Sequence, residues 1–373
     1  MAAILERRRE LRDLDWQTAL CAVAIAGFGV WQVHNAAPTE PFWTKQLMGI
    51  GISLVAFVTV CMLDYRRIID AAPVFYIVGL VLLFLVLTPL GVSLNGQKAW
   101  VRLPLFGQFQ PSEFVKIPTI LMLAKYFGSK KGNVLTFKEM LIGGAIWAGP
   151  ILLIMLEPDA GQAITYVPIL AAVFFLSGIK IRYVVLAAVG AAIFIPAAWY
   201  VGVHTGKIKR YQQERILAIT NPEEVDPRGY GYHTIQSTIT VGKGGLYGNE
   251  GDTGTSQSVL KFLPEPQSDF IFSVTAENTG FIGCVSLLLA YALLLSRMIA
   301  GARQATDRGG MLVIMCVVSG MIFQIFLNIG MAGGMLPVIG VPLPLMSAGL
   351  SAILTTFIAI GFVVSVKLRR FVN

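Results

Sequence analysis

Charge is what this chain has least of. Only 13% of its 373 residues are Asp, Glu, Lys or Arg, while 55% are apolar. That charged share is about half of what an ordinary soluble domain carries. A soluble protein of this length would still need a charged skin around its core. Cysteine is equally scarce, at four residues, and histidine at three. Cys21, Cys61, Cys284 and Cys316 all fall inside apolar runs. They read as small buried hydrophobes, not as disulfides or metal ligands. His34, His204 and His233 lie far apart and show no metal-ligand spacing. No P-loop, zinc motif or dinucleotide fingerprint is present. These absences exclude a disordered chain, a collagen and a disulfide scaffold. With a mean hydropathy of +0.70, an integral membrane protein is what remains.

Apolar stretches long enough to cross a bilayer need about 20 residues. Ten are expected: Trp16–Val33, Gln46–Leu63, Ala71–Leu90, Pro111–Phe127, Met140–Met155, Gln162–Leu176, Tyr183–Val203, Ile271–Leu295, Gly310–Met331 and Leu345–Val366. Several are interrupted by Gly or Pro, which a bundle tolerates because neighbours satisfy the freed backbone groups. The basic stretch at the N-terminus leads straight into a full-length span, unlike a cleaved signal. The predicted fold class is therefore an all-α integral membrane protein of about ten transmembrane helices. It forms one polytopic domain over residues 1–373, with a long outward segment, 204–268, between the seventh and eighth spans.

The net charge of +8 finds its explanation in topology. Lys and Arg in short loops mark the cytoplasmic side. The N-terminal tail, the even-numbered loops and the C-terminal tail hold 18 of the 29 Lys and Arg residues, against eight acids. The opposite short loops hold only Lys45, Lys98 and Arg102. Both tails, 1–15 and 367–373, are thus expected on the cytoplasmic side. The surplus is no nucleic-acid footprint.

Polar groups near membrane depth are costly, so they are functional candidates. Four groups lie on the outward side. The first is NGQKAWVRLPLFGQFQPSEFVK, residues 95–116. Pro111 suits a first helical turn, and Glu113 and Lys116 then share a face. They form either a simple ion pair or a cation presented to an anionic ligand and oriented by Glu113. The second is Glu157-Pro158-Asp159-Ala160-Gly161-Gln162. Asp159 either caps the following helix or takes part in chemistry. The third is the long outward segment, where six glycines fall between Gly242 and Gly254. Such a run either lets backbone N–H groups approach an anion or is simply flexible. Lys207, Lys209, Arg210 and Arg215 precede it, as phosphate or headgroup contacts or as a solvated basic face. The fourth is the run from Pro264 to Phe272, where Asp269 opens an apolar helix, a common capping position. Glu277 lies two turns deeper and needs a partner from elsewhere.

These motifs, in this order and from the first span to the last, resemble the SEDS family (shape, elongation, division, sporulation), and within it the RodA branch. The resemblance is densest in NGQKAWVRL, FQPSEFVKI, EPDAGQ, GYHTIQSTITVGKGGLYG, GTSQSVLKFLPEPQSDFIFSVTAENTG and GMLPVIGVPLPLMSAG. The run GTSQSVLKFLPE favours the elongation-type branch over the division-type one. Three places depart from the family pattern: an acid pair reads Glu277-Asn278, a PDLG reads Pro158 to Gly161, and an SYGGSS reads Ser347 to Ala352.

The resemblance implies a peptidoglycan glycosyltransferase that polymerises lipid II during cell-wall elongation and shape maintenance, releasing undecaprenyl pyrophosphate, in a bacterial inner membrane. It implies that Asp269 is the essential acid, and that Glu113, Lys116, Trp100, Arg102, Arg210 and Arg215 bind substrate or pyrophosphate. Asp159 and Glu277 are implied as supporting residues. In the expected reaction Asp269 takes the proton of an incoming sugar hydroxyl while cations hold the leaving pyrophosphate. No metal cage is readable and no cofactor is required by the sequence; a divalent cation, Mg or Mn, is an option. The implied partners are lipid II and the growing glycan strand, a class B penicillin-binding protein acting as transpeptidase, and other membrane proteins of the elongation machinery. Two other classes fit some of the same features: a flippase or transporter of a lipid-linked precursor, and a non-catalytic scaffold. Against transport stand the outward bias of the polar groups and the lack of matched interrupted spans in two halves.

Overall fold

The computed structural model describes residues 15–94, 97–103, 107–130, 132, 134–206, 208, 213–214, 216–217, 231–249, 256, 258–260 and 262–371. Among them, seven helices are long and apolar enough to cross a membrane, and two shorter apolar stretches accompany them. All ten expected spans correspond to a helix or to a broken pair of helices.

In chain order, α1 (Trp16–Ala36) and α2 (Phe42–Met62) are followed by the short α3 (Tyr65–Asp70) and by α4 (Ala72–Leu87). Then comes a feature absent from the sequence reading. Strands β1 (Gly91–Leu94), β2 (Gln97–Leu103) and β3 (Gly107–Phe109) form a small antiparallel sheet in the order β1-β2-β3. The fourth span is split into α5 (Pro111–Phe114) and α6 (Lys116–Gly128), and α7 (Phe137–Leu156) is the fifth. The sixth span is split again, into α8 (Ala160–Ile164) and α9 (Val167–Leu176). Helix α10 (Ile181–His204) is the seventh span, and α11 (Tyr232–Lys243) lies in the long segment. Helices α12 (Ile271–Arg303), α13 (Arg308–Ala332) and α14 (Leu350–Leu368) complete the bundle.

The two breaks share a cause. Pro118 and Pro168 sit in the first turns of α6 and α9 and carry no N–H for the preceding turn. The chain tightens instead: Tyr166 N donates to Ala163 O at 3.2 Å and Thr165 N to Gln162 O at 3.1 Å. Each break leaves a one-turn helix at the sheet end of the bundle. The tenth span begins at Leu350, not Leu345, because residues 333–349 form an irregular loop at that same end.

The core lies along the last three helices. Without a hydrophobic drive between helices in lipid, close packing of small residues does the work. Gly361 on α14 places its backbone against Val60 and the Phe57 carbonyl of α2. Phe57 and Phe357 meet edge-on at 6.4 Å, and Ser365 Oγ donates to Leu63 O at 2.8 Å. Helix α10 is the opposite case. Only Gly202 is buried along its length, so its apolar side chains are left for lipid.

The basic end is tied by ion pairs. Asp15 receives the Lys367 ammonium, and Arg297 stands 3.7 Å away. Lys367, assigned to the tail from sequence, therefore ends α14 as a buried residue. Asp307 accepts from the Tyr65 hydroxyl, lies 3.6 Å from Arg66, and caps α13 through Gly310 N at 2.8 Å. Cys61, Cys284 and Cys316 are buried, Cys21 is half-buried, and none is in a disulfide.

Candidate active site

The two helix breaks bring four polar side chains together at the sheet end. Helix α5 points Glu113 inward and α6 begins with Lys116; both are nearly buried. Their charged ends stand 3.4 Å apart. Gln162, on the facing one-turn helix α8, donates from Nε2 to Glu113 Oε1 at 2.5 Å. Asp159 caps that helix through Gln162 N at 3.0 Å and accepts from Gln110 Nε2 at 2.8 Å. Gln110 N in turn donates to Ser351 Oγ on α14 at 2.9 Å. Tyr166 donates to Ser112 O at 2.7 Å and so clamps the two breaks together. The structure thus shows Asp159 as a cap and Glu113–Lys116 as an ion pair, placed inside one polar network.

Glu157 adds an acid to this cluster. It is fully buried, and among the described residues neither carboxyl oxygen has a hydrogen-bond partner. Burial pushes its carboxyl up to about 8, with the nearby Asp159 charge adding to the effect. Burial raises Asp159 as well. The two raised carboxyls, Glu157 and Asp159, share the turn between the fifth and sixth spans, where burial favours the protonated form of each.

Asp269 sits on the other side of a shared loop. It is partly exposed, at the step into α12. Gly340, in the 333–349 loop, lies against Asp269 Oδ2; a side chain there would begin 3.4 Å from that oxygen. On its other face the same loop meets Gly161, where a Cβ would fall 2.1 Å from Ile339 O. Only glycine permits that approach. The Ile339–Gly340 segment therefore lies between the first turn of α8 and the Asp269 carboxylate.

Backbone grips hold the Asp269 segment. Asn328 Nδ2 donates to Asp269 O at 2.9 Å and to Val341 O at 2.8 Å. Ser347 Oγ donates to Ser268 O at 2.6 Å, and Ala348 N to Gln267 O at 2.8 Å.

Glu277 finds its partners in hydroxyls. Ser258 Oγ donates to Oε2 at 2.7 Å and Ser256 Oγ at 3.2 Å. Helix α12 is interrupted just beyond, at Gly280, whose φ of 64° is in the left-handed region. There the glycine-rich run docks: Asn249 N donates to Glu277 O at 2.8 Å and Phe281 N to Gly245 O at 2.9 Å. Gly244 and Gly248 press against the Ala276 and Asn278 carbonyls. In its described part, up to Asn249, this run is neither an anion cradle nor a loose loop. Its glycines allow close approach to a broken helix.

The remaining candidates are dispersed. Trp100 is half-buried on β2, opposite Val92. Arg102 is exposed on the same strand, opposite Gln108, and makes no salt bridge among the described residues. Arg210 and Arg215, like Lys207 and Lys209, lie outside the described residues. Reasoning from sequence assigned no individual role to Gln110, Glu157, Gln162, Asn328, Ser347 or Ser351. Asn328 carried a signal, as a lone amide deep in an apolar span. The glutamines stood within quoted motifs but carried no charge to flag them. Among the described residues no three Asp, Glu, His or Cys side chains converge as a metal site.

Fold and site together define a multi-pass helical membrane protein with a buried acid–lysine network beside one accessible Asp. The family model of FtsW, RodA and SpoVE cell cycle proteins matches residues 17–370, and the chain belongs to that family. It is 38% identical over 364 residues to the peptidoglycan glycosyltransferase MrdB of Escherichia coli K12, covering 96% of this chain and 94% of that one. Stage V sporulation protein E of Bacillus subtilis is 34% identical over 343 residues, covering 91% of this chain and 90% of that one. A solved chain from a peptidoglycan synthase complex that coordinates polymerization and crosslinking superposes with a TM-score of 0.82 at 29% identity, covering 96% of this chain and 99% of that one. The rod shape determining protein RodA of Thermus thermophilus gives 0.71 at 26% identity, covering 96% and 98%.

Proposed function

We infer that this chain is a peptidoglycan glycosyltransferase, and we propose that it polymerises lipid II at the sheet end, which faces outward, with both termini cytoplasmic in a bacterial inner membrane. The observation that carries the mechanism is the placement of the partly exposed Asp269 carboxylate against Gly340, across one loop from the Glu113–Lys116–Asp159 network.

The reaction needs a base and a stabilised leaving group. Asp269 accepts the proton of the 4-hydroxyl on the incoming sugar. That oxygen bonds to the anomeric carbon of the other chain, and the bond from that carbon to undecaprenyl pyrophosphate breaks with inversion. A positioned base is worth roughly 10²–10⁴-fold. Lys116 shares its ammonium with Glu113, so it offers the pyrophosphate only part of its charge. Its larger role is to keep the acid network from repelling a diphosphate. Arg102, exposed on β2 and without a carboxylate partner among the described residues, supplies the unshared cation, together with Arg210 and Arg215. Trp100, on the same strand, packs against a sugar face. Glu277 holds the segment Ser256–Ser258 on α12. No step requires a metal; a Mg or Mn ion would travel with the pyrophosphate.

A class B penicillin-binding protein is the proposed partner that crosslinks the strands, within the elongation machinery. Its support is the likeness to a chain of a synthase complex that combines both activities.

The test is strand formation from externally supplied lipid II. The Asp269→Ala chain should insert and bind lipid II yet make no polymer. Full polymerisation by that variant overturns the assignment. A transporter would show lipid II translocation and no strands. The three interrupted spans, fourth, sixth and eighth, do not occupy corresponding positions of two five-span halves, which weighs against transport.

A further inference from the structure

One buried amide connects the three elements that frame Asp269. Asn328 lies on α13 with no exposed surface. Its Nδ2 stands 2.9 Å from the Asp269 carbonyl and 2.8 Å from the Val341 carbonyl. Two carbonyl oxygens at that range can be met only by an NH₂ group, so the amide orientation is fixed by its neighbours. Its Oδ1 is buried and accepts no hydrogen bond among the described residues. A buried acceptor left unpaired is costly. An aliphatic side chain in this place would leave the Asp269 and Val341 carbonyls without this donor, so the amide is accounted for by the two backbone bonds it makes.

What the amide holds is specific. Val341 follows Gly340, the residue against the Asp269 carboxylate. Asp269 itself is held by its own carbonyl. Asn328 therefore sets the distance between the acid and the loop that faces it. A second grip lies one residue earlier: Ser347 Oγ accepts from Leu343 N at 2.8 Å and donates to Ser268 O at 2.6 Å. Both grips act on backbone and leave the carboxylate part-exposed.

We propose that Asn328 is a positioning residue for Asp269, fixing its backbone against the Gly340–Val341 loop so that the carboxylate meets the acceptor hydroxyl in reactive geometry. The inference rests on the reading of Asp269 as the base. A misplacement of about 1 Å in such a pair costs on the order of 10²-fold in rate, which makes a two-carbonyl tether worth its orphaned oxygen.

The experiment is steady-state lipid II polymerisation by the purified full chain. Asn328→Ala removes both donors; Asn328→Asp keeps the shape and turns an acceptor toward the two carbonyls. Both should lower kcat by roughly 30–100-fold with the lipid II KM within about twofold. In an Asp269→Asn background, Asn328→Ala should change the residual rate by less than about twofold, because the group being positioned no longer takes a proton. Wild-type kcat in Asn328→Ala, with Asp269→Asn inactive, overturns the positioning role and spares the base. An active Asp269→Asn chain overturns the base reading itself. Equal fold-losses in both backgrounds mean a structural role only, and overturn the proposal. Should Asn328→Ala fail to fold, Ser347→Ala releases the Ser268 carbonyl, along with the Leu343 N–H that the same hydroxyl accepts. It should lower kcat several-fold in the Asp269 chain and leave the Asp269→Asn chain unchanged; no effect in either chain counts against the grip.

Discussion

The acid–lysine network and the Asp269 segment stand on two sides of one loop, yet they are held together by different means. In the first, side chains bind side chains: Gln162 to Glu113, Gln110 to Asp159, Lys116 to Glu113. Every functional group there is both machinery and scaffold. In the second, side chains bind backbone: Asn328 and Ser347 grip the Asp269 and Ser268 carbonyls, and the acid itself stays partly open. Substitutions in the network should therefore cost stability along with activity, while Asp269 should be separable from the fold.

That contrast can be broken in order of expected effect. Lys116→Ala leaves Glu113 buried without its cation, a loss of about 3–5 kcal/mol, together with activity and lipid II affinity. Thermal unfolding in detergent should show a large drop, and adding Glu113→Gln should recover much of it. If Lys116→Ala unfolds like wild type, the network is not structural.

Glu157 gives a smaller, pH-dependent effect. Its carboxyl is raised to about 8 from its ordinary 4.5, so the folded chain holds a proton there that the unfolded chain has lost. The folded state binds more protons across that window, and stability must fall as pH rises from about 4.5 to about 8. The slope is about 1.4 kcal/mol per pH unit for one group. Glu157→Gln should remove that slope in unfolding measured across pH 5–8. An unchanged slope would mean that Glu157 is ionised in the fold.

Smallest is Ser258→Ala, which removes one of the hydroxyls on Glu277. A charge-assisted hydrogen bond is worth about 1.5–3 kcal/mol, and Ser256 remains to offset part of it. Protease sensitivity of the 242–260 segment should rise modestly. No change would show that this segment is held by its backbone bonds to α12 alone.

The same contrast explains what could be read without coordinates. Ten spans were legible because twenty-residue apolar runs admit few alternatives in a bilayer. Glu113, Lys116 and Asp269 were candidates as polar groups near membrane depth, but the role of Asp269 as the essential acid came from the family resemblance. The breaks at Val115 and Thr165 were marked by Pro118 and Pro168, but a proline in a span also permits a mere kink. The neutral bridges Gln110, Gln162 and Asn328 were hidden because an amide becomes informative only when its two partners, from distant parts of the chain, are known. The glycine run misled for a related reason: its partner was the broken α12, and Gly280 looks like any other helical glycine until its φ is seen.

The account turns on Asp269 acting as the base without holding up the fold. The direct measurement is lipid II turnover by purified Asp269→Asn and wild-type chains at equal folded fraction. The account predicts a rate lower by roughly 10²–10⁴-fold with the unfolding midpoint and lipid II binding preserved. An Asp269→Asn chain that polymerises at the wild-type rate, or that loses activity only because it unfolds, would contradict it.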